Sequence, residues 1–102
     1  MSERREAVRV ARIYLTEAEQ LQQKILAVLH DEHRVQGVTV FRGITGFGSS
    51  GETHSSSLLD MSFDQPVVIE FFDAAERVDA ALDALGDLVP PGHTLTFDAI
   101  KR

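Results

Sequence analysis

The sequence predicts an α+β fold, with two helices covering one face of a four-stranded antiparallel sheet. Three observations carry this expectation. Extended and amphipathic segments alternate in the order βαββαβ. The chain has 102 residues, 43% hydrophobic and 25% charged, which suits one domain over 1–102. The third extended segment is apolar on both faces, as a strand buried between two layers would be.

Val8 to Leu15 is β-branched, partly alternating and ends at a helix signal, so it reads as strand one. Thr16 and Glu19 form a capping box before Ala18, Leu21, Ile25, Val28 and Leu29. Those steps of three and four predict an amphipathic helix running to about His33. Gly37 resets the chain, and Val38 to Ile44 reads as strand two. Thr45 to Gln65 has little periodicity and much Gly and Ser, which predicts a long loop. Pro66 to Phe72 is strand three. Asp73 and Glu76 can cap a second helix, with Val78, Ala81, Leu82 and Leu85 inward and Gly86 as its stop. Pro90-Pro91-Gly92 is a rigid turn, and Thr94 to Ile100 is the last strand. This order is that of a ferredoxin-like sandwich.

Two helices can cover only one sheet face. Strand three nevertheless sets Val67, Ile69 and Phe71 against Val68 and Phe72, and strand one sets Ala11, Ile13 and Leu15 against Val8, Val10 and Tyr14. In a chain this short, the expected cover for the second face is another copy.

Charge and composition remove several classes of function. Ten basic residues against sixteen acidic ones leave a formal charge of −6, which argues against a nucleic-acid partner. The absence of cysteine excludes disulfides, thiolate metal sites and a cysteine nucleophile. The longest aliphatic run, Ile25–Leu29, is far short of the ~18 residues of a membrane span. The charged start is not followed by an apolar stretch, so the expected location is the cytoplasm.

Few residues point to chemistry. Gly46-Phe47-Gly48-Ser49-Ser50-Gly51 matches G-x-G-x-x-G, but no helical pattern follows it and the chain has no room for a doubly wound sheet. What survives is glycine-rich backbone that can present N–H groups to an anion, or simply form a hairpin tip. Arg42 and Gly43 immediately precede this loop, so the guanidinium could meet an anion held there or a neighbouring carboxylate. His30-Asp31-Glu32-His33 offers two imidazoles beside two carboxylates, a weak metal candidate with no third fixed ligand nearby. Arg12 and Glu70 lie in the interiors of neighbouring strands, where a paired, structural role is expected. No nucleophile–base pattern accompanies His54 and the loop serines.

With these residues in view, the sequence resembles the uncharacterised PII-like family. The resemblance rests on Arg12-Ile13-Tyr14-Leu15, Arg42-Gly43-Ile44-Thr45-Gly46-Phe47-Gly48, His54, Leu59-Asp60 and Pro66 to Glu70. It implies a ferredoxin-like homotrimer in which adenine nucleotides bind at clefts between subunits, near the base of the loop between strands two and three. That loop would contact a regulated protein partner. By position, Arg42, Gly43, Gly46, Phe47, Gly48, Ser49 and His54 become the candidate ligand-binding residues. The basic phosphate loop of PII proteins falls at Asp87 to His93 here, a segment without Lys or Arg. The function implied is regulatory rather than enzymatic, with an adenine nucleotide or another small anion as ligand. Two other readings stay open: a phosphoryl- or acyl-group hydrolase or transferase using His54, and a metal-tolerance protein using His54 or His30 and His33.

Overall fold

A computed structural model describes residues 5–15, 19–47, 53–55 and 66–102. Its elements are β1 (Glu6–Leu15), α1 (Glu19–Ala27), β2 (Gly37–Arg42), β3 (Thr45–Phe47), β4 (Thr53–Ser55), β5 (Val67–Asp73), α2 (Ala75–Leu85) and β6 (Thr94–Lys101). Four of the strands form an antiparallel sheet in the order β2-β5-β1-β6. The expected α+β sandwich is thus present. The Thr16–Glu19 capping box extends over residues outside the described ones.

Alternation along the strands decides which side chains meet the helices. From β1 come Ala11, Ile13 and Leu15, and from β5 Val67, Ile69 and Phe71, all buried. Ile25 and Leu29 descend on them from the first helical segment, and Val78, Ala81 and Leu85 from α2. Each large aliphatic or aromatic side chain buried in this way contributes about 1.5–3 kcal/mol.

The first helix is not α-helical to its end. It widens into a π-helical turn over Val28–Glu32, and the chain then leaves through Arg34, whose φ is +48°. This left-handed residue lets the Val35 N–H reach the Leu29 carbonyl at 3.1 Å and close the turn. A side chain is strained in that conformation, whereas glycine is not. Arg34→Gly is therefore expected to raise stability by up to about 1 kcal/mol. Chemical denaturation that shows a loss instead would mean the arginine side chain holds this corner.

The second helix begins differently from the expectation. Asp73, the last residue of β5, is buried, and neither it nor Glu76 bonds the amides of the first turn as a cap would. Instead Asp73 Oδ1 accepts the Ala74 N–H at 2.6 Å, and Oδ2 accepts the Gln36 N–H and the Arg77 Nε–H, both at 3.1 Å. Gln36 Nε2 also donates to Glu6 at 2.8 Å, and Lys101 Nζ donates to Gln36 Oε1 at 2.7 Å. One end of the sheet is therefore stitched across all four strands by polar side chains.

The other sheet face carries no helix. On it, Tyr14, Phe41, Leu95 and Phe97 are 40%, 50%, 58% and 42% exposed. At its margin the Phe72 ring lies over Gly37, where an added Cβ would come within 2.5 Å of the ring. With the ring in that place, any side chain at position 37 would have to displace it. The two-sided pattern expected for β1 and β5 is realised, and the second face stands open in the single chain.

Candidate functional site

Of the candidate residues, Arg42 and Gly43 lie at the end of the sheet opposite the polar stitch. β2 runs out at Arg42, paired in register with Val67, and the Gly43 N–H continues the ladder to the Pro66 carbonyl at 2.8 Å. A Cβ on Gly43 would sit 3.0 Å from Pro66 Cγ, so the approach of the two strands explains that glycine. Arg42 shares the helix-side parity of Val38 and Val40, and its side chain is exposed at the strand end.

Beyond Gly43 the chain is more regular than the expected loop. Thr45–Phe47 pairs antiparallel with Thr53–Ser55, and the register sets Gly46 opposite His54 and Phe47 opposite Thr53. Two of the sequence candidates are thereby brought together on one small ladder. Three-residue strands of Thr, Gly and Phe against Thr, His and Ser are too short and too polar to show apolar alternation, so no periodic signal announces them. Gly48 and Ser49 lie outside the described residues.

At the same end of the sheet, the Tyr14 N–H donates to the His93 carbonyl, and His93 Nδ1 lies 2.8 Å from the Tyr14 carbonyl. A carbonyl only accepts, which assigns the proton to Nδ1. His93 thus marks the β6 edge as Arg42 marks the β2 edge, a placement that sequence reading missed because nothing local distinguishes this histidine. The segment from Asp87 to His93 lies beside a shallow, mainly apolar cleft formed by Leu82, Leu85, Val89, Pro90 and Pro91.

His30 and His33 lie elsewhere, on and just after the π-helical turn. His30 Nδ1 is 2.7 Å from Asp31 Oδ1, with both side chains well exposed. Among the described residues, no three His, Asp or Glu side chains converge as a metal site would require.

Near the middle of the open face lies an ion pair. Arg12 Nε donates to Glu70 Oε1 at 2.7 Å, across the β1–β5 register that sets these residues directly opposite. Hydrogen bonding to Glu70, then to Tyr14, pushes the guanidinium above its ordinary pKa and keeps it charged. Its central carbon lies 5.1 Å from the centroid of the Phe97 ring, within cation–π range. The expected pairing of Arg12 with Glu70 is thus realised.

A family model, DUF190, described as "Uncharacterized ACR", matches residues 8–101. The chain belongs to the DUF190 family. A UPF0166 protein from Aquifex aeolicus (strain VF5) is 36% identical over 67 residues, covering 66% of this chain and 68% of the relative. Among solved structures, CPII bound to ADP and bicarbonate, from Thiomonas intermedia K12, superposes with a TM-score of 0.69 at 18% identity. That match covers 98% of this chain and 91% of CPII. The divalent ion tolerance protein CutA1 from Ehrlichia chaffeensis superposes with a TM-score of 0.59 at 12% identity, over 90% of this chain and 78% of CutA1. This DUF190 chain therefore has the fold shared by PII-like and CutA1 proteins, in line with the resemblance read from its sequence. Among the described residues, no helix is long and apolar enough to cross a membrane.

Proposed function

We propose that this DUF190 protein is a PII-like regulator that acts in the cytoplasm by binding, not by catalysis. A small anionic ligand, an adenine nucleotide or another small anion, would sit at clefts between copies in a homotrimer. The segment 45–65 would carry the signal to a partner protein. One observation carries the reading: a guanidinium at the end of β2 leads directly into a ladder that sets Gly46 opposite His54. Cationic side chain and glycine-rich backbone N–H groups are the usual partners of an anion. The CPII structure bound to ADP and bicarbonate supplies the two probes to try first.

Isothermal titration with ADP and with bicarbonate tests this. Arg42→Ala is expected to weaken binding of the anion by about 1.5–3 kcal/mol, roughly a 10- to 150-fold loss. Unchanged affinity in a folded variant would move the site elsewhere. Turnover of the probe that disappears in His54→Ala would favour a hydrolase or transferase instead. The likeness to CutA1 gives a second reading, divalent-metal binding through His54 or through His30 and His33. Titrating copper or zinc into the same protein and its histidine variants decides between them.

A further inference from the structure

We infer that the Arg12–Glu70 pair is a register lock: copies of this chain meet on the open sheet face, and the pair fixes how they align. The inference rests on the homotrimer proposed above and names the contact that would specify it.

The placement of the pair carries the argument. Arg12 and Glu70 side chains are 44% and 26% exposed in the single chain. Around them on the same face stand Tyr14, Phe97 and Leu95, with Val68 and Phe72 alongside on β5. An ion pair left in water contributes little to stability, while an apolar surround of this kind is a liability there. Covered by a second apolar surface, the same pair becomes decisive. A misaligned copy would press hydrocarbon onto two charges, while the correct one would give the guanidinium further acceptors. The pair uses one of the five N–H donors of Arg12.

Charge selects the occupant. The chain carries a net −6, yet the described charges on the open face balance, with Arg12 and Lys101 against Glu70 and Glu6. The exposed acids Glu76, Asp79, Asp83 and Asp87 belong to α2 and the turn after it. Two acidic copies repel least through the neutral face, and a basic partner would be drawn to the helical layer instead. Because the charges are matched within the chain, a covering surface needs apolar area rather than opposite charge. A second copy supplies that area.

The test compares wild type, Glu70→Arg, the double swap Arg12→Glu/Glu70→Arg and the apolar double variant Arg12→Met/Glu70→Leu. Light scattering and sedimentation over a concentration series give size and affinity, and thermal melts report folding. Wild type is expected to associate. Glu70→Arg is expected to raise the dissociation constant by at least about 100-fold while its monomer still melts cooperatively, because two arginines then face each other in the contact. The double swap keeps the cross-strand pair and should recover the wild-type size. The apolar variant should associate at least as tightly but with mixed stoichiometry, having lost the feature that chooses one register. Wild type that stays monomeric would overturn the homotrimer and the lock with it. Wild type that associates, together with a Glu70→Arg variant of equal affinity or a folded double swap that stays monomeric, would overturn the lock alone. So would a single stoichiometry in the apolar variant.

Discussion

Phe71→Ala is expected to cost about 3–5 kcal/mol, the range for truncating a fully buried aromatic residue. Phe71 has no solvent exposure and is among the largest fully buried side chains. Its backbone is paired on one side with Ala11 and on the other with Val38, so two strands hold it in place beneath the helices. Strands fixed on both sides collapse poorly around a void, which puts the expected loss in the upper part of the range. Domains of this size have total stabilities of only about 5–15 kcal/mol, so the variant should sit near the edge of folding. A thermal melt should show Tm lower by roughly 15–30 °C. Phe71→Leu, which refills most of the volume, should cost less than about 1.5 kcal/mol. A Phe71→Ala variant that melts like wild type would mean the sheet and helices do not share one core.

Asp73→Ala should be the next most damaging change, at about 2–4 kcal/mol, because it strands several donors at once. The carboxylate is buried yet accepts hydrogen bonds from two backbone N–H groups, from the Gln36 side chain and from Arg77. Burial by itself would raise its pKa. The Ala74 N–H, Arg77 and Gln36 together outweigh burial and hold it below its ordinary value. Ionised Asp73 thus contributes its full stability above the unfolded-state pKa of about 4, and the contribution is lost as pH falls through the lower folded value. Urea denaturation at several pH values checks this. The gap between wild type and Asp73→Asn should be full at pH 7 and close at acid pH. A gap that does not change with pH would show that the carboxylate is held by shape, not by charge.

Much of this architecture is legible in the sequence because apolar spacing differs between strands and helices. Burial alternates along all of β5 and along β1 from Ala11 to Leu15, and the neighbouring of the strands that carry Arg12 and Glu70 follows from the topology. Harder to read are the features that depend on one backbone turn or one distant partner. Widening of the first helix at Val28–Glu32 leaves the three- and four-residue spacing of Val28 and Leu29 intact, so periodicity cannot report it. Arg34 occupies a left-handed corner that normally signals itself through glycine. Asp73 looks like a helix cap, but its role depends on Gln36, which is 37 residues away. At the candidate site, Arg42 is readable as the end of a strand. The pairing of Gly46 with His54 is not, since three-residue strands in which Phe47 is the one apolar side chain set no register.

Strand order also bears on how the chain is made. β1 is synthesised first, yet both of its neighbours, β5 and β6, lie in the last third of the sequence, and Glu6 pairs with Lys101. A nascent chain therefore emerges with its central strand unpaired along both edges. Ala11, Ile13 and Leu15 have no partner strand to pack beside until Val67–Asp73 has been translated. Closing the sheet means closing loops that span most of the polypeptide, and such non-local pairing is slow compared with helix formation. The helix α2 is made between the two late strands, so by the time it emerges β5 is available to β1 and only the edge that β6 will take is still bare.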